Sequence, residues 1–493
     1  MGISDGYKPV VVLGKIIVDE YGDPHPPKSN GCDRDGNAND DEKGPPAPPE
    51  TVSIGGAGPQ AAFGAAAALA VWDSYYKSNE SEDSSGESGG DRDSNKTKIS
   101  SKPPPVLLVA PVGKDWTPSD TSALESALGA PSAKVVVHNN TVTGCDFGTE
   151  AVFDGDNGPV PIIETHLLQS RVGNRDGGDE KDGSEDGYFT PRIRFWHDRD
   201  QVVHWYAIND SFGPKGADGL WRNRPSSQDL ATILDGWCGY ADSNTNGGSG
   251  STSDGSGSVV LHVVPEAGET PPGGGMDWLP LVQDERLLLR ESGEPRLAFV
   301  GLEPQADLET IRDGDAVSTA DLLGATRESL AAVSPSPPVL WCPDRALDEA
   351  IRERNLYERA IGSTSNYGGS LTVAVRDGPR GSKVTTTRGK EPGFDSGDDC
   401  AIAIPVATLS TEDAKPVNPT GAGNAYAGAM TSLLGNGVSL EAAACLATGI
   451  GAVVCEHEGL PACGNGSDWA RVLDRIRDAA KEVESKLVLA KRH

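Results

Sequence analysis

Seven stretches of this chain are apolar runs with no strict alternation of polar and apolar positions: "PVVVLG" (9–14), "PVLLVAPVG" (105–113), "AKVVVH" (133–138), "VVLHVV" (259–264), "RLAFVGL" (296–302), "SLTVAV" (370–375) and "CAIAIPV" (400–406). A strand with one wet face alternates; an unbroken run suits a strand covered by helices on both faces. Helix-like patterns lie at 58–72, 119–128, 319–333, 346–360, 424–435 and 440–456. A last amphipathic helix over 468–489 sets Trp469, Leu473, Ile476, Ala480 and Val483 on one face. This order predicts an α/β fold with a central, mostly parallel sheet flanked by helices. "RIRFWHDRDQVVHWYAI" (192–208), rich in aromatic and β-branched residues, reads as a hairpin or a strand outside that sheet.

Tracts rich in Gly, Ser, Pro and acidic residues interrupt the pattern at about 22–50, 77–103, 173–187 and 241–258. They have little to bury and are expected to be disordered insertions. They explain why only 36% of residues are hydrophobic and 5% aromatic in a 493-residue chain with a folded core. They also carry part of the net charge of -30. Such a field repels nucleic acid and anionic membrane, so neither is an expected partner.

The 8 cysteines form no C-x-x-C, and the histidines show no metal-ligand spacing, with His197 and His204 sharing at most one hairpin. Reduced thiols and no metal site are expected. The start "MGISDGYKPVVVLG" has no apolar signal core and fails the myristoylation pattern, and "AAFGAAAALAVW" is too short and Gly-broken to span a bilayer. A cytoplasmic protein is expected.

Four segments could carry chemistry. In "PTGAGNAYAGAMTSLL", Gly421, Ala422 and Gly423 form a small-residue turn that opens into a helix, where unpaired N–H groups attract anions. A plain loop–helix junction would read the same way. In "SIGGAGPQAAFGAAAALA", Gly55 and Gly56 end a strand and Gln60 falls in the first helical turn, within reach of hydroxyl groups; a tight packing corner is the alternative. Asp19, beyond the apolar run of "VVVLGKIIVDEYG", could accept hydrogen bonds from a polyol or simply be solvated. In "LTVAVRDGPRGSKV", Arg376 and the turn from Gly378 to Gly381 could cradle phosphate or merely reverse the chain. Neither a G-x-S-x-G elbow nor a G-x-x-x-x-G-K-[ST] loop occurs.

In this order the four segments resemble the PfkB/ribokinase family of carbohydrate kinases. The sugar-side Asp is matched by Asp19, the family's GG-x-x-x-N segment by Gly55, Gly56 and Gln60, and its VGxD segment by Val112 to Asp115. Its GxxG turn is matched by Gly378 and Gly381, and its D-T-x-G-A-G-D signature by Asn418 to Asn424. The resemblance covers about residues 9–465. It implies a single ribokinase-like domain with a small β lid drawn from about 15–54 and 133–208.

It further implies ATP with Mg2+, a small polyhydroxy acceptor, and a lid able to pair two copies as a homodimer. Asp19, Gly55, Gly56 and Gln60 would hold the acceptor. Arg376, Gly378, Gly381, Asn418 and Thr420 would line the nucleotide, and Gly421 to Gly423 would form the anion hole.

Two departures bear on activity. Asn424 stands where the family keeps its general base, and Asn418 replaces the signature's first Asp. The N-x-x-E segment has no clear match; "STADLLGATRES" (318–329) occupies its region. "SRVGN" (170–174) and "RIRF" (192–195) resemble a divergent branch that includes fungal Mak-type proteins, with Asn at the base position. An amide takes no proton near neutral pH, and loss of a positioned base costs about 10²–10⁴-fold. Two expectations follow: an impaired carbohydrate kinase, or a pseudokinase that binds or scaffolds without chemistry.

Overall fold

The computed structural model describes residues 8–21, 51–76, 106–129, 133–139, 163–169, 189–197, 203–208, 227–245, 258–264, 296–303, 322–326, 372–386, 402–411, 416–457, 459–461 and 466–491. Its strands are β1 (Val10–Leu13), β2 (Ile17–Tyr21), β3 (Thr51–Gly55), β4 (Val106–Val112), β5 (Ala133–Asn139), β6 (Ile163–Gln169) and β7 (Arg192–His197). Beyond these come β8 (Val203–Ala207), β9 (Val259–Val263), β10 (Leu297–Leu302), β11 (Leu322–Thr326), β12 (Thr372–Arg376), β13 (Ser382–Thr386) and β14 (Ile402–Ile404). The α-helices are α1 (Ala57–Val71), α2 (Pro118–Leu128), α3 (Ser227–Thr245), α4 (Ala422–Gly435), α5 (Leu440–Cys455) and α6 (Gly466–Ala490).

Ten strands make one sheet in the order β14-β13-β12-β11-β10-β9-β1-β4-β6-β5. All neighbours from β12 to β5 pair in parallel, and only β13 runs against its two neighbours. The unbroken apolar runs have the expected cause: Val10, Val11, Val12 and Leu13 are at most 1% exposed, so both faces of β1 are buried. β1 lies between β4 and β9, where the strand order reverses. In open α/β sheets the carboxyl ends of strands at such a point form the ligand crevice.

A second sheet has the order β3-β2-β7-β8, with a parallel β2–β7 pair between two antiparallel pairs. Within the 192–208 segment, β7 and β8 thus pair antiparallel outside the main sheet. Residues 133–139 do not join this small sheet, as the lid boundaries had them do; with β6 they extend the edge of the large one.

Three further differences have physical reasons. The helix read at 319–333 contains β11, whose five residues pair with all of β12, so a slot in the parallel sheet overrides local helical patterning. β6 escapes an apolar scan because Glu164, Thr165 and His166 interrupt it, yet all three are fully buried. His166 Nε2 bonds Glu164 at 3.1 Å and its Nδ1 meets His138 Nε2 at 2.9 Å. Helix α3 runs through Thr245, into the range assigned to an insertion; Leu230, Ile233, Leu234 and Trp237 are its buried stripe. The expected insertions at 22–50, 77–103 and 173–187, residues 246–257 and the helix read at 346–360 lie outside the described residues. No helix among the described residues is long and apolar enough to cross a membrane.

One packing contact positions everything that follows. Every residue of α1 is buried, and α1 lies along α4. A Cβ on Gly64 would stand 2.0 Å from the carbonyl oxygen of Ala425, and one on Gly428 would stand 2.2 Å from that of Ala61. The backbones therefore touch, which the small-residue run of α1 permits. Phe63 of α1 stacks on Trp469 of α6 at 5.4 Å between ring centroids and holds the far side.

Gly64→Ala and Gly428→Ala each force backbone apart and are predicted to cost about 1–3 kcal/mol in urea denaturation. Gly451→Ala meets only an ordinary 3.5 Å contact to the Ala422 oxygen. It should be neutral or stabilise by up to about 1 kcal/mol, since alanine is the better helix former. Equal effects at all three positions would contradict the close crossing.

Candidate functional site

The loop before α4 is tied down first. The N–H groups of Val417 and Asn418 both donate to the carbonyl of Cys455, at 2.8 and 3.3 Å. Asn418 Oδ1 accepts the Thr420 N–H at 2.9 Å. The chain then turns through Gly421 at φ 86°, a left-handed conformation suited to glycine. The Ala422 N–H folds back to Pro419 at 3.2 Å. Among the described residues, the N–H groups of Gly421, Gly423 and Asn424 find no acceptor, and no side chain caps the helix. By contrast, α2 is closed by a Thr117–Asp120 capping box and α5 by Ser439. Orphan donors at the positive end of a helix dipole suit an anion.

The α1–α4 crossing brings a second helix start against this turn. Gln60 is 3% exposed, and its amide atoms lie 1.9–2.1 Å from where a Cβ on Gly421 would stand. Gln60 Oε1 accepts from Asn424 Nδ2 at 3.1 Å. That bond leaves Gln60 Nε2 and Asn424 Oδ1 with no partner among the described residues. Asn424 can therefore accept a hydrogen bond from a hydroxyl, while as a neutral amide it cannot take the proton.

Arg376 ends β12 and reaches the same turn. Its Nη1 donates to Glu303 Oε2 at 2.8 Å and to the Gly423 carbonyl. Glu303, just past β10, also meets His262 Nε2 at 2.9 Å. Sequence reading did not single out Glu303 or His262. The available signal was one polar residue inside "VVLHVV" and one at the end of "LAFVGLE". Gly378 and Gly381 shape the tight loop after Arg376, where the Gly381 N–H donates to Gly378 at 3.1 Å.

Asp19 stands on β2 against Gly55, its Oδ2 lying 1.9 Å from where a Cβ there would be. It is 8% exposed, and its carboxylate has no partner among the described residues. Burial alone pushes its pKa from an ordinary 3.8 up to about 7. Gly55 leads through Gly56 into α1, so Asp19 and Gln60 belong to one strand-to-helix corner. Desolvation without a partner favours the neutral acid and is common at ligand sites. Asp115 of the VGxD segment instead joins the small sheet to the core. It accepts the Thr190 N–H at 2.7 Å and Arg192 Nε at 3.4 Å, while Arg192 also bonds Asp120 at 3.0 Å.

No protein-family model and no curated protein matches the chain. Among solved structures it is similar to Giardia lamblia ribokinase, at 13% identity and TM-score 0.47, over 96% of this chain and 99% of that one. It is also similar to Arabidopsis thaliana ribokinase complexed with ribose and ATP, at 12% identity and TM-score 0.46, over 95% and 99%. A third is Cryptococcus neoformans var. grubii serotype A ribokinase in complex with ADP, at 14% identity and TM-score 0.46, over 96% and 99%.

The Asp19 shift sets a pH dependence of stability. Below pH 3.8 the group is protonated in both the folded and unfolded chain; between there and about 7 only the folded chain keeps its proton. Stability therefore falls as pH rises through that window, and the loss persists above it. Asp19→Asn is predicted to stabilise the protein at pH 8 by up to about 4 kcal/mol, from about 1.4 kcal/mol per pH unit. The gain should vanish toward pH 4 in thermal unfolding. A gain independent of pH would contradict this account of Asp19.

Proposed function

We propose that the chain is a PfkB-type carbohydrate kinase that transfers the terminal phosphoryl group of ATP to a hydroxyl of a sugar, nucleoside or similar polyol. The observation that carries this reading is the meeting of two helix starts. The Gln60 amide packs against Gly421 and bonds the Asn424 side chain, beside the Gly421, Gly423 and Asn424 N–H groups that find no acceptor among the described residues. Asp19, a buried carboxylate with no partner among those residues, lies at the corner from which α1 starts.

The turn fits a phosphate on this chain's own terms: it offers three donors without acceptors at a positive dipole end, beside Arg376. Thr420, Asn418 and the Gly378–Gly381 loop would flank the nucleotide. Mg2+ would arrive on the nucleotide and neutralise charge on its phosphates. Asp19 would accept hydrogen bonds from two acceptor hydroxyls, and with Gly55, Gly56 and Gln60 would hold the polyol. In the transfer, the acceptor oxygen forms the new O–P bond as the bond to ADP breaks. Asn424 Oδ1 would orient the hydroxyl. The proton leaves late, to a phosphoryl oxygen or water, as a loose transition state permits. The absent base sets the rate about 10²–10⁴-fold below that of a carboxylate-bearing kinase.

The second reading, a ligand-binding pseudokinase, is favoured by the Asn424–Gln60 amide pair, which satisfies part of the base position without chemistry. Purified protein with Mg2+-ATP and a panel of sugars and nucleosides separates the two. The kinase reading predicts slow phosphorylation of at least one acceptor, and about a 10-fold or larger gain in Asn424→Asp. Stabilisation by ATP with no turnover by either protein would overturn it in favour of the pseudokinase.

A further inference from the structure

A buried hydrogen-bonded circuit lies beneath the anion-binding turn. It begins on α4, where Thr431 Oγ1 lies 2.8 Å from His262 Nδ1 on β9. His262 Nε2 lies 2.9 Å from Glu303 Oε1 at the end of β10. Arg376 Nη1, at the end of β12, donates to Glu303 Oε2 at 2.8 Å and to the Gly423 carbonyl, back on α4. Thr431, His262 and Glu303 are each at most 1% exposed. A carboxylate only accepts, so His262 donates from Nε2; with a neutral ring, its Nδ1 receives the Thr431 hydroxyl. The chain makes room for it: a Cβ on Gly301 would stand 2.1 Å from Thr431 Oγ1.

We propose that Thr431, His262 and Glu303 are positioning residues that hold the Arg376 guanidinium against the first turn of α4 and so fix the geometry of a site for the phosphates of a nucleotide. A guanidinium beside the positive end of a helix is repelled unless a negative group offsets it. Glu303 supplies that charge, and His262 and Thr431 keep Glu303 from rotating away. Because the circuit starts and ends on one helix, it locks the turn to the carboxyl ends of three parallel strands. The nucleotide side of the claim rests on the kinase reading above; the ordering of the turn does not.

The test uses the full chain and two readouts. The first is hydrogen exchange, without ligand, of the hydrogen-bonded amides of the turn, Ala422 and Ala425, with those of α5 as internal control. Glu303→Ala and His262→Ala should speed exchange about tenfold in that turn and leave α5 unchanged. Thr431→Val, which removes only the far hydroxyl, should give a smaller local rise and guards against a fold lost through the larger changes. The second readout is calorimetric binding of Mg2+-ATP, which should weaken about 10- to 100-fold in Glu303→Ala. Glu303→Gln keeps every hydrogen bond by switching the His262 tautomer. Because it keeps the hydrogen bonds but not the charge, it should recover part of the exchange protection lost in Glu303→Ala. It should bind Mg2+-ATP with an affinity between those of the unaltered protein and Glu303→Ala, a graded rescue that general loss of packing would not give.

Unchanged exchange at the Ala422 and Ala425 amides in both Glu303→Ala and Thr431→Val would overturn the proposal. Faster exchange in a protein that binds no ATP would support the positioning role and reject the nucleotide reading.

Discussion

The contact between α1 and α4 is the constraint on which the rest of the site depends. Two helices approach until backbone meets backbone, with Gly64 against Ala425 and Gly428 against Ala61. Ordinary helix pairs keep their axes 8–10 Å apart through interdigitating side chains. Here the run "GAAAALA" gives up side-chain bulk, and in return two helix starts sit side by side. Gln60 and Asn424 share an amide hydrogen bond only because of this approach, and Gln60 fills the space at Gly421 for the same reason. A single methyl group in the crossing would move both starts and, with them, every donor of the turn.

Legibility of the fold followed from how locally each signal is encoded. Unbroken apolar runs locate β1, β4 and β9 because burial on both faces leaves its mark residue by residue. β11 carries no such mark: "LLGAT" lies within a helix-like pattern, and its slot between β10 and β12 is a property of the sheet. β6 is hidden by Glu164 and His166, whose burial is offset by their bond to each other, by His138 on the His166 ring and by Lys134 beside Glu164 Oε1. Its buried Thr165 hydroxyl has no partner among the described residues.

The candidate site divides in the same way. Its glycine turns, Gln60 and Asp19 announce themselves in short motifs, and the structure brings Gly421, Gly423, Asn424, Gln60 and Arg376 together. The relay through Glu303 and His262 joins residues more than 40 positions apart and leaves only a lone polar residue in each apolar strand. Electrostatics then sorts their tasks. Asp19 is costly where it stands because burial strips water from its carboxylate, and no group among the described residues replaces that water. Arg376 and the orphan amides favour negative charge a short way off. Asn424, tied to Gln60 by its amide, is neutral and lacks the basicity to take a proton.

The account stands on a phosphate being bound by the backbone of the 421–424 turn. Labelling glycine with 15N and titrating Mg2+-ATP while following the amide resonances of Gly421 and Gly423 tests this most directly. The account predicts large, saturable downfield shifts at these two glycines, with small ones at Gly449 and Gly451 of α5. Saturable binding that leaves Gly421 and Gly423 unmoved would contradict it.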